Sequence, residues 1–333
     1  MNSKKNTRYV LGVDLGGTKI SVGAMKADGT GQHAMHSLPT PAADGADAVV
    51  DRIVAMIGTT IAQTMKETGA SREDFRGVGI GSPGPLDRAK GLVITTPNLG
   101  WTNFPLRDRV AQGAGLRATL DNDANCATLG EWWIGAAKGA QNVVGITIGT
   151  GIGGGLILNG KLYHGASDAA GEIGHTTIDS TGRRCNCGNY GCLEAYASGP
   201  AIANRAREAL ILTPDSIIVE MAGGKPADIT AQMVYDASKK GDELARDVVR
   251  ETARFIGTGV ANLLNIFNPE VVVLAGGVAQ AGEDLFGPVR AEVRRRAFKP
   301  NVEACRIVPG ALDGAAGVVG AVATYLAEYP DEA

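Results

Sequence analysis

The segment from His175 to Glu194 constrains this chain more than any other. It reads His175, nine residues, then Cys185-Asn-Cys187-Gly188-Asn-Tyr-Gly191-Cys192-Leu-Glu194. Three thiols and an imidazole in so short a stretch make a complete tetrahedral Cys₃His donor set for zinc. The predicted ligands are His175, Cys185, Cys187 and Cys192. The carboxylates of Glu172 and Glu194 flank the set and are not needed to complete the metal. A closed metal site beside spare carboxylates predicts a structural Zn²⁺ that staples a loop and holds polar groups toward a ligand.

Chain length and composition fit a soluble globular protein around that staple. A chain of 333 residues allows about two domains. The 47 glycines are roughly twice the average usage. They fall in short loops, which predicts close approach of backbone to a ligand at several places. A net charge of −3 supplies no field for nucleic acid, so none is expected as a partner. The run Arg294-Arg295-Arg296 reads as a solvated helix face. There is no apolar run of about eighteen residues to span a membrane, and the first residues lack the apolar core of a signal peptide. Cys126 and Cys305 read as buried thiols outside the cluster, and a reducing cytoplasm is the expected location.

Periodicity predicts a mixed α/β chain. Strands are expected over 8–13, 20–25 and 31–38, with a turn at Asp28-Gly29, followed by a helix over 46–67 and a buried strand over 77–80. A second cycle has a strand at 118–120, a helix over 124–137 and a strand over 143–148. A glycine loop at 149–155 then turns into a return strand at 156–158. Helices are expected at 198–210, 230–240 and 243–266, a strand at 271–274, and a last helix near 315–328 that packs back on the first half. The layout of strand, glycine loop and hairpin partner occurs twice, at 8–25 and 143–158. Two similar α/β halves with a cleft between them follow, divided as a small lobe over 1–120, with the C-terminal helix at 315–333 packing back on it, and a large lobe over 121–314.

Several short motifs carry chemistry. In Asp14-Leu-Gly16-Gly17-Thr18-Lys19, glycine N–H groups and the Thr18 hydroxyl suit a phosphate, and Asp14 at a strand end suits a hydrated Mg²⁺. A plain Gly-Gly hairpin turn would use the same residues. Gly149-Thr150-Gly151-Ile-Gly153-Gly154-Gly155 resembles a dinucleotide fingerprint but runs into a strand, not a helix. Gly155 to Leu162 nearly matches a P-loop but lacks the Ser/Thr. A hairpin phosphate loop fits better, and two such loops across a cleft would hold a nucleotide's β- and γ-phosphates. Asp121-Asn122-Asp123 ends a strand and opens a helix. Asp121 or Asn125 suits an N-cap, Asp123 a base for an acceptor hydroxyl, and Asn122 a bond to a neighbouring hydroxyl. Unpaired carboxylates among glycines, at Glu172 and Glu194, need polar partners such as sugar hydroxyls. His164 reads as surface or structural.

With Asp14-Leu-Gly-Gly-Thr-Lys19, Ser82-Pro-Gly-Pro85, Pro97-Asn98, Asn122-Asp123, Gly149-Thr-Gly-Ile-Gly-Gly154, Ala170-Gly-Glu-Ile-Gly-His175, the cysteine segment and Ala275-Gly-Gly277 in this order, the chain resembles the ROK family of sugar kinases, repressors and related proteins over nearly its full length. It looks most like the bacterial glucokinase branch. The resemblance implies a two-lobed actin-like ATPase (ribonuclease-H-like) fold using ATP and Mg²⁺. It places a hexose among Gly84, Asn98, Asn122, Asp123, Glu172, His175 and Glu194. His175 would bind zinc through one nitrogen and face the sugar with the other. The nucleotide would meet Asp14, Gly16, Gly17, Thr18, Lys19, Thr150 and Gly151, with adenosine near Gly276 and Gly277. Asp121 departs from the family pattern, in which many relatives carry Glu. Family repressors carry an N-terminal helix-turn-helix domain, and only thirteen residues precede Asp14 here, so an enzyme is expected. The expected reaction is phosphorylation of the hexose 6-hydroxyl, with glucose ahead of N-acetylmannosamine or another hexose, by a homo-oligomer (dimer or tetramer).

Overall fold

A computed structural model describes residues 8–96 and 99–332. The first half contains β1 (Tyr9–Leu15), β2 (Lys19–Lys26), β3 (Gln32–Pro39), α1 (Ala46–Thr68), β4 (Phe75–Ser82), β5 (Leu86–Asp87), β6 (Leu92–Thr96), β7 (Trp101–Phe104), α2 (Leu106–Ala114) and β8 (Arg117–Asn122). Then follow α3 (Asp123–Trp133), β9 (Val143–Ile148), β10 (Ile152–Leu158), β11 (Lys161–Leu162), α4 (Glu194–Ala197), α5 (Gly199–Ala209), α6 (Ile217–Met221), α7 (Ala231–Lys239) and α8 (Glu243–Phe267). The chain ends with β12 (Val271–Ala275), α9 (Glu283–Arg296), α10 (Lys299–Ala304), β13 (Arg306–Pro309) and α11 (Ala316–Glu328).

The two halves repeat one topology without repeating sequence. One five-stranded sheet has the order β3-β2-β1-β4-β8, and the other β11-β10-β9-β12-β13. In each, three consecutive strands form an antiparallel meander and two later strands join it in parallel. A small third sheet, β5-β6-β7, carries no strong sequence signal because its strands are short and partly exposed.

Apolar periodicity accounts for the outer layers. Val49, Val50, Ile53, Met56, Ile57 and Ile61 give α1 a continuous buried face against the first sheet. The second sheet is covered by α5, α7, α8 and α9, with α8 contributing Val249, Ile256, Val260 and Leu264.

Helices α3 and α11 form the middle layer and pack on each other. α11 lies on β1 and β4, and α3 lies on β9 and β10. Close approach here explains many of the glycines. A Cβ on Gly12 or Gly79 would overlap the carbonyl of Val318 or Ala321, and one on Gly320 would overlap Cys126. Overpacking at such sites costs typically about 1–3 kcal/mol. The glycine excess therefore serves helix packing as well as ligand loops, which corrects the expectation from composition.

Two boundaries and one burial also differ from expectation. Gly153, Gly154 and Gly155 belong to β10, paired with Thr147, Ile146 and Gly145, so the loop is only Gly149–Gly151. The helix predicted over 124–137 stops at Trp133, where Ile134 leaves helical geometry and the Glu131 carboxylate accepts the Ala136 N–H at 2.8 Å. Cys305 is half-buried rather than buried. Cys126 is fully buried, as expected. Arg295 and Arg296 share Glu292 at the end of α9 and lie on its solvated face. No helix among the described residues is long and apolar enough to cross a membrane.

Candidate active site

The C-terminal ends of β1 and β8 and the β9–β10 turn open onto one cavity of about 540 Å³. Asp14, Gly16, Gly17, Thr18 and Lys19 line it from the β1–β2 turn, Thr150 and Gly151 from the β9–β10 turn, and Gly276 from the end of β12. Gly84, Asn122, Asp123, Glu172, His175 and Glu194 line the same space. Asn98 lies outside the described residues. Gly277 faces a neighbouring pocket instead.

Local chemistry shapes both turns. The Gly16 N–H donates to Lys19 O at 2.9 Å, and the Thr40 hydroxyl donates to Gly16 O at 2.7 Å, which fixes the first turn. The second is closed by Gly149 N–H donating to Gly151 O at 2.9 Å. Gly276 adopts φ 90°, and a Cβ there would meet Ile148 O at 2.5 Å, so only glycine fits where β12 enters the cavity.

Asp123 is the first residue of α3. The cap is Asn122, whose Oδ1 accepts the N–H groups of Ala124 at 2.9 Å and Asn125 at 3.1 Å. Neither Asp121 nor Asn125 is the cap. Asp121 is instead buried under Arg88 and His164, so His164 is a buried-charge partner and not a surface residue. Asp123 Oδ1 accepts the Ala124 N–H at 2.8 Å, which leaves the rest of the carboxylate to the cavity. Burial raises the Asp123 carboxyl above its ordinary value against the Ala124 hydrogen bond, and the Glu172 carboxylate adds to the rise.

Asp14 sits beside the first turn of α11, where a Cβ on Gly317 would come within 2.7 Å of its Oδ2. Burial, and then Asp123, push its carboxyl from 3.8 up to about 7, with Lys19 pulling down. A carboxylate this crowded favours a cation, and its place at a strand end fits Mg²⁺ held largely through water. The folded protein binds this proton more tightly than the unfolded chain. The group's stabilising contribution is therefore full below about 3.8 and lost as pH rises through about 7. Asp14→Asn removes that loss. In calorimetry without nucleotide or divalent cation, the variant is expected to melt above the parent, by a margin that widens from pH 4 to pH 8. A margin independent of pH would refute the raised carboxyl.

The sulfur and nitrogen donors of His175, Cys185, Cys187 and Cys192 lie within 4.8 Å of one another. Cys185 Sγ is 3.8 Å from His175 Nδ1, and Cys187 Sγ is 3.7 Å from Cys192 Sγ. A tetrahedral zinc with bonds of about 2.3 Å places sulfurs roughly 3.8 Å apart. The donor set thus fits Zn²⁺, with Nδ1 as the nitrogen ligand. Glu194 opens α4 directly after the cluster. Its Oε2 accepts the Ile152 N–H at 2.8 Å and its Oε1 lies 4.0 Å from Cys185 Sγ. One carboxylate therefore joins the metal loop to the glycine turn, a link that the spacing in sequence does not reveal.

An apolar pocket of about 430 Å³ adjoins the polar cavity, sharing Gly149 and Thr150 with it. Ala203, Ile229, Ala231, Tyr235 and Val278 line it, with Gln232 and Gln280 among its polar groups. Only Thr150 and Gly277 of its walls were expected from sequence to meet the nucleotide, because the pocket gathers segments from α5, α7 and the loop after β12. A flat apolar slot leading into a glycine-lined polar cavity suits a nucleoside with its phosphates directed inward.

The comparisons agree with this geometry. A family model described as the ROK family matches residues 10–328. A glucokinase of Thermotoga maritima is 38% identical over 94% of this chain and 95% of its own length. A xylose repressor of Caldicellulosiruptor bescii is 33% identical over 84% of this chain and 69% of its own. The crystal structure of a ROK family glucokinase from Streptomyces griseus in complex with glucose and AMPPNP has a TM-score of 0.81 at 35% identity, covering 95% of this chain and 98% of that one. The two-lobed α/β architecture is that of this ROK glucokinase and of a solved ROK hexokinase from Thermus thermophilus.

Proposed function

This chain belongs to the ROK family, and on that premise we propose that it phosphorylates the 6-hydroxyl of a hexose with ATP, making glucose 6-phosphate from glucose. One observation carries the reading. A carboxylate at a helix start, two glycine turns and three further polar groups converge on a single cavity that opens into an apolar slot. The glucokinase relatives and the structure with glucose and AMPPNP support both substrates.

Adenine occupies the apolar slot beside Val278 and Gly277, and the phosphates pass Thr150 toward the β1–β2 turn. Backbone N–H groups of Gly17 and Gly151, with the Thr18 hydroxyl and the Lys19 ammonium, take up charge that develops on the γ-phosphoryl group, while Gly16, whose N–H closes the turn onto Lys19 O, shapes the loop that presents them. Asp14 would hold Mg²⁺, which would supply positive charge against the phosphates. Asp123 orients the 6-hydroxyl and accepts its proton as the oxygen attacks in line. Gly84, Asn98, Asn122, Glu172, His175 and Glu194 hold the other hydroxyls. His175 would hold zinc through Nδ1 together with Cys185, Cys187 and Cys192, which would leave Nε2 for the sugar.

A coupled assay over a panel of hexoses and phosphate donors tests this. Glucose is expected to exceed 2-deoxyglucose and galactose, because a missing hydroxyl leaves a buried polar group unpaired. Glu194→Ala is expected to raise the glucose KM more than the ATP KM. The ATP KM also rises, since Glu194 anchors the Ile152 N–H. A kcat/KM for N-acetylmannosamine well above that for glucose would replace glucose as substrate and leave the kinase reading intact. No turnover with any sugar would end that reading.

A further inference from the structure

The three sheets of this protein meet at one buried carboxylate. Asp121 lies one residue from the end of β8, and its side chain is 0% exposed. Its Oδ1 accepts the Asn122 N–H at 2.8 Å and the Asn125 Nδ2 amide at 3.1 Å. Its Oδ2 lies 2.8 Å from His164 Nε2 and 3.1 Å from Arg88 Nε. Arg88 follows β5 of the three-stranded sheet, and His164 follows β11 at the edge of the second five-stranded sheet. Asp168 completes the junction, accepting the Arg88 N–H at 3.2 Å and lying 3.8 Å from Arg88 Nη1.

The partition between the two oxygens is informative. With Asp121 Oδ2 as the acceptor, the His164 ring donates from Nε2. Oδ1 accepts the Asn122 backbone N–H and the Asn125 side-chain amide, on either side of Asp123, and Oδ2 meets the His164 ring in a hydrogen bond and the Arg88 guanidinium in an ion pair. The loop that carries His164 and Asp168 leads directly into Gly171, Glu172 and His175. A buried charge persists only when paired and hydrogen-bonded, so displacing either partner disturbs the others. The segment presenting the base and the segment presenting the sugar groups are therefore tied to one atom pair.

We propose that Asp121 is a positioning residue, and that the Arg88–Asp121–His164 junction aligns the Asp123 carboxylate with the acceptor hydroxyl by locking the sugar loop to the base strand. The proposal rests on the kinase reading above. Misplacing reacting groups by about 1 Å costs on the order of 100-fold in rate, whereas the nucleotide slot touches none of these residues.

Steady-state kinetics of His164→Ala, His164→Gln and Arg88→Gln test it, with the parent protein measured first. His164→Ala is expected to lose about 10- to 100-fold in kcat with an unchanged ATP KM. His164→Gln is expected to recover most of that loss, because its amide N–H reaches toward the position of Nε2. Arg88→Gln gives the same kcat-only loss and carries the test if His164→Ala does not fold. An unchanged kcat, an equal rise in the ATP KM, or no rescue by glutamine overturns the junction while parent turnover upholds the kinase. A parent without hexose turnover overturns both.

Discussion

Asp123→Asn is expected to lower kcat by about 10²–10⁴-fold while the protein still binds sugar. The change is nearly isosteric, and the amide oxygen can still accept the Ala124 N–H that Asp123 accepts at 2.8 Å. What it cannot do is take the proton of the acceptor hydroxyl. The parent carboxyl is raised by burial, so turnover limited by the ionised form falls as pH decreases through its shifted value. The variant has no such group and is expected to lose that acidic limb along with its rate. Stopped-assay kcat and calorimetric glucose binding separate the two effects. Near-parent turnover would remove Asp123 from the role, and loss of sugar binding would show that it acts mainly in the ground state.

Loss of the metal is expected to be the other large effect. The purified protein should hold one zinc per chain, and Cys185→Ser or Cys187→Ser should hold little. Structural zinc contributes directly to folding free energy, with apparent values of about 10–16 kcal/mol in small peptides. In a domain with a large core, the consequence is a loosened loop rather than an unfolded chain. His175 and Glu194 both move with that loop, and Glu194 also anchors Ile152. The expected result is a lower Tm and a raised glucose KM, with the ATP KM raised less. Elemental analysis, thermal melting and kinetics read these together. A fully active protein free of zinc would contradict the assignment.

The Cys₃His cluster and the two glycine turns were legible for one reason. Each depends on residues close together in sequence, so spacing alone expresses the geometry. His175, Cys185, Cys187 and Cys192 form their cluster within a single loop. The turns at Gly16–Lys19 and Gly149–Gly151 each lie between two strands whose periodicity marks them. Apolar spacing likewise marked α1, α8 and the two β hairpins, because one buried face imposes its own period.

Contacts between distant segments left no such mark. Asp121 looks like a cap residue in Asp121-Asn122-Asp123, and only the arrival of Arg88 and His164 makes it a buried ion pair. Gly12 and Gly79 look like plain strand glycines, and Gly320 like a plain helix glycine, until α11 is laid on β1, β4 and α3. The apolar slot draws its walls from residues 149 to 281, and apart from Gly149, Thr150 and Gly277 none of them belongs to a motif. The sequence by itself determined the Cys₃His cluster, the two glycine turns and the order of the elements, since short-range spacing and side-chain chemistry suffice for these. Tertiary structure alone decided which carboxylate is buried and paired, where helices touch backbone and how the slot closes. Burial and steric exclusion are properties of the assembled chain and have no counterpart in local sequence.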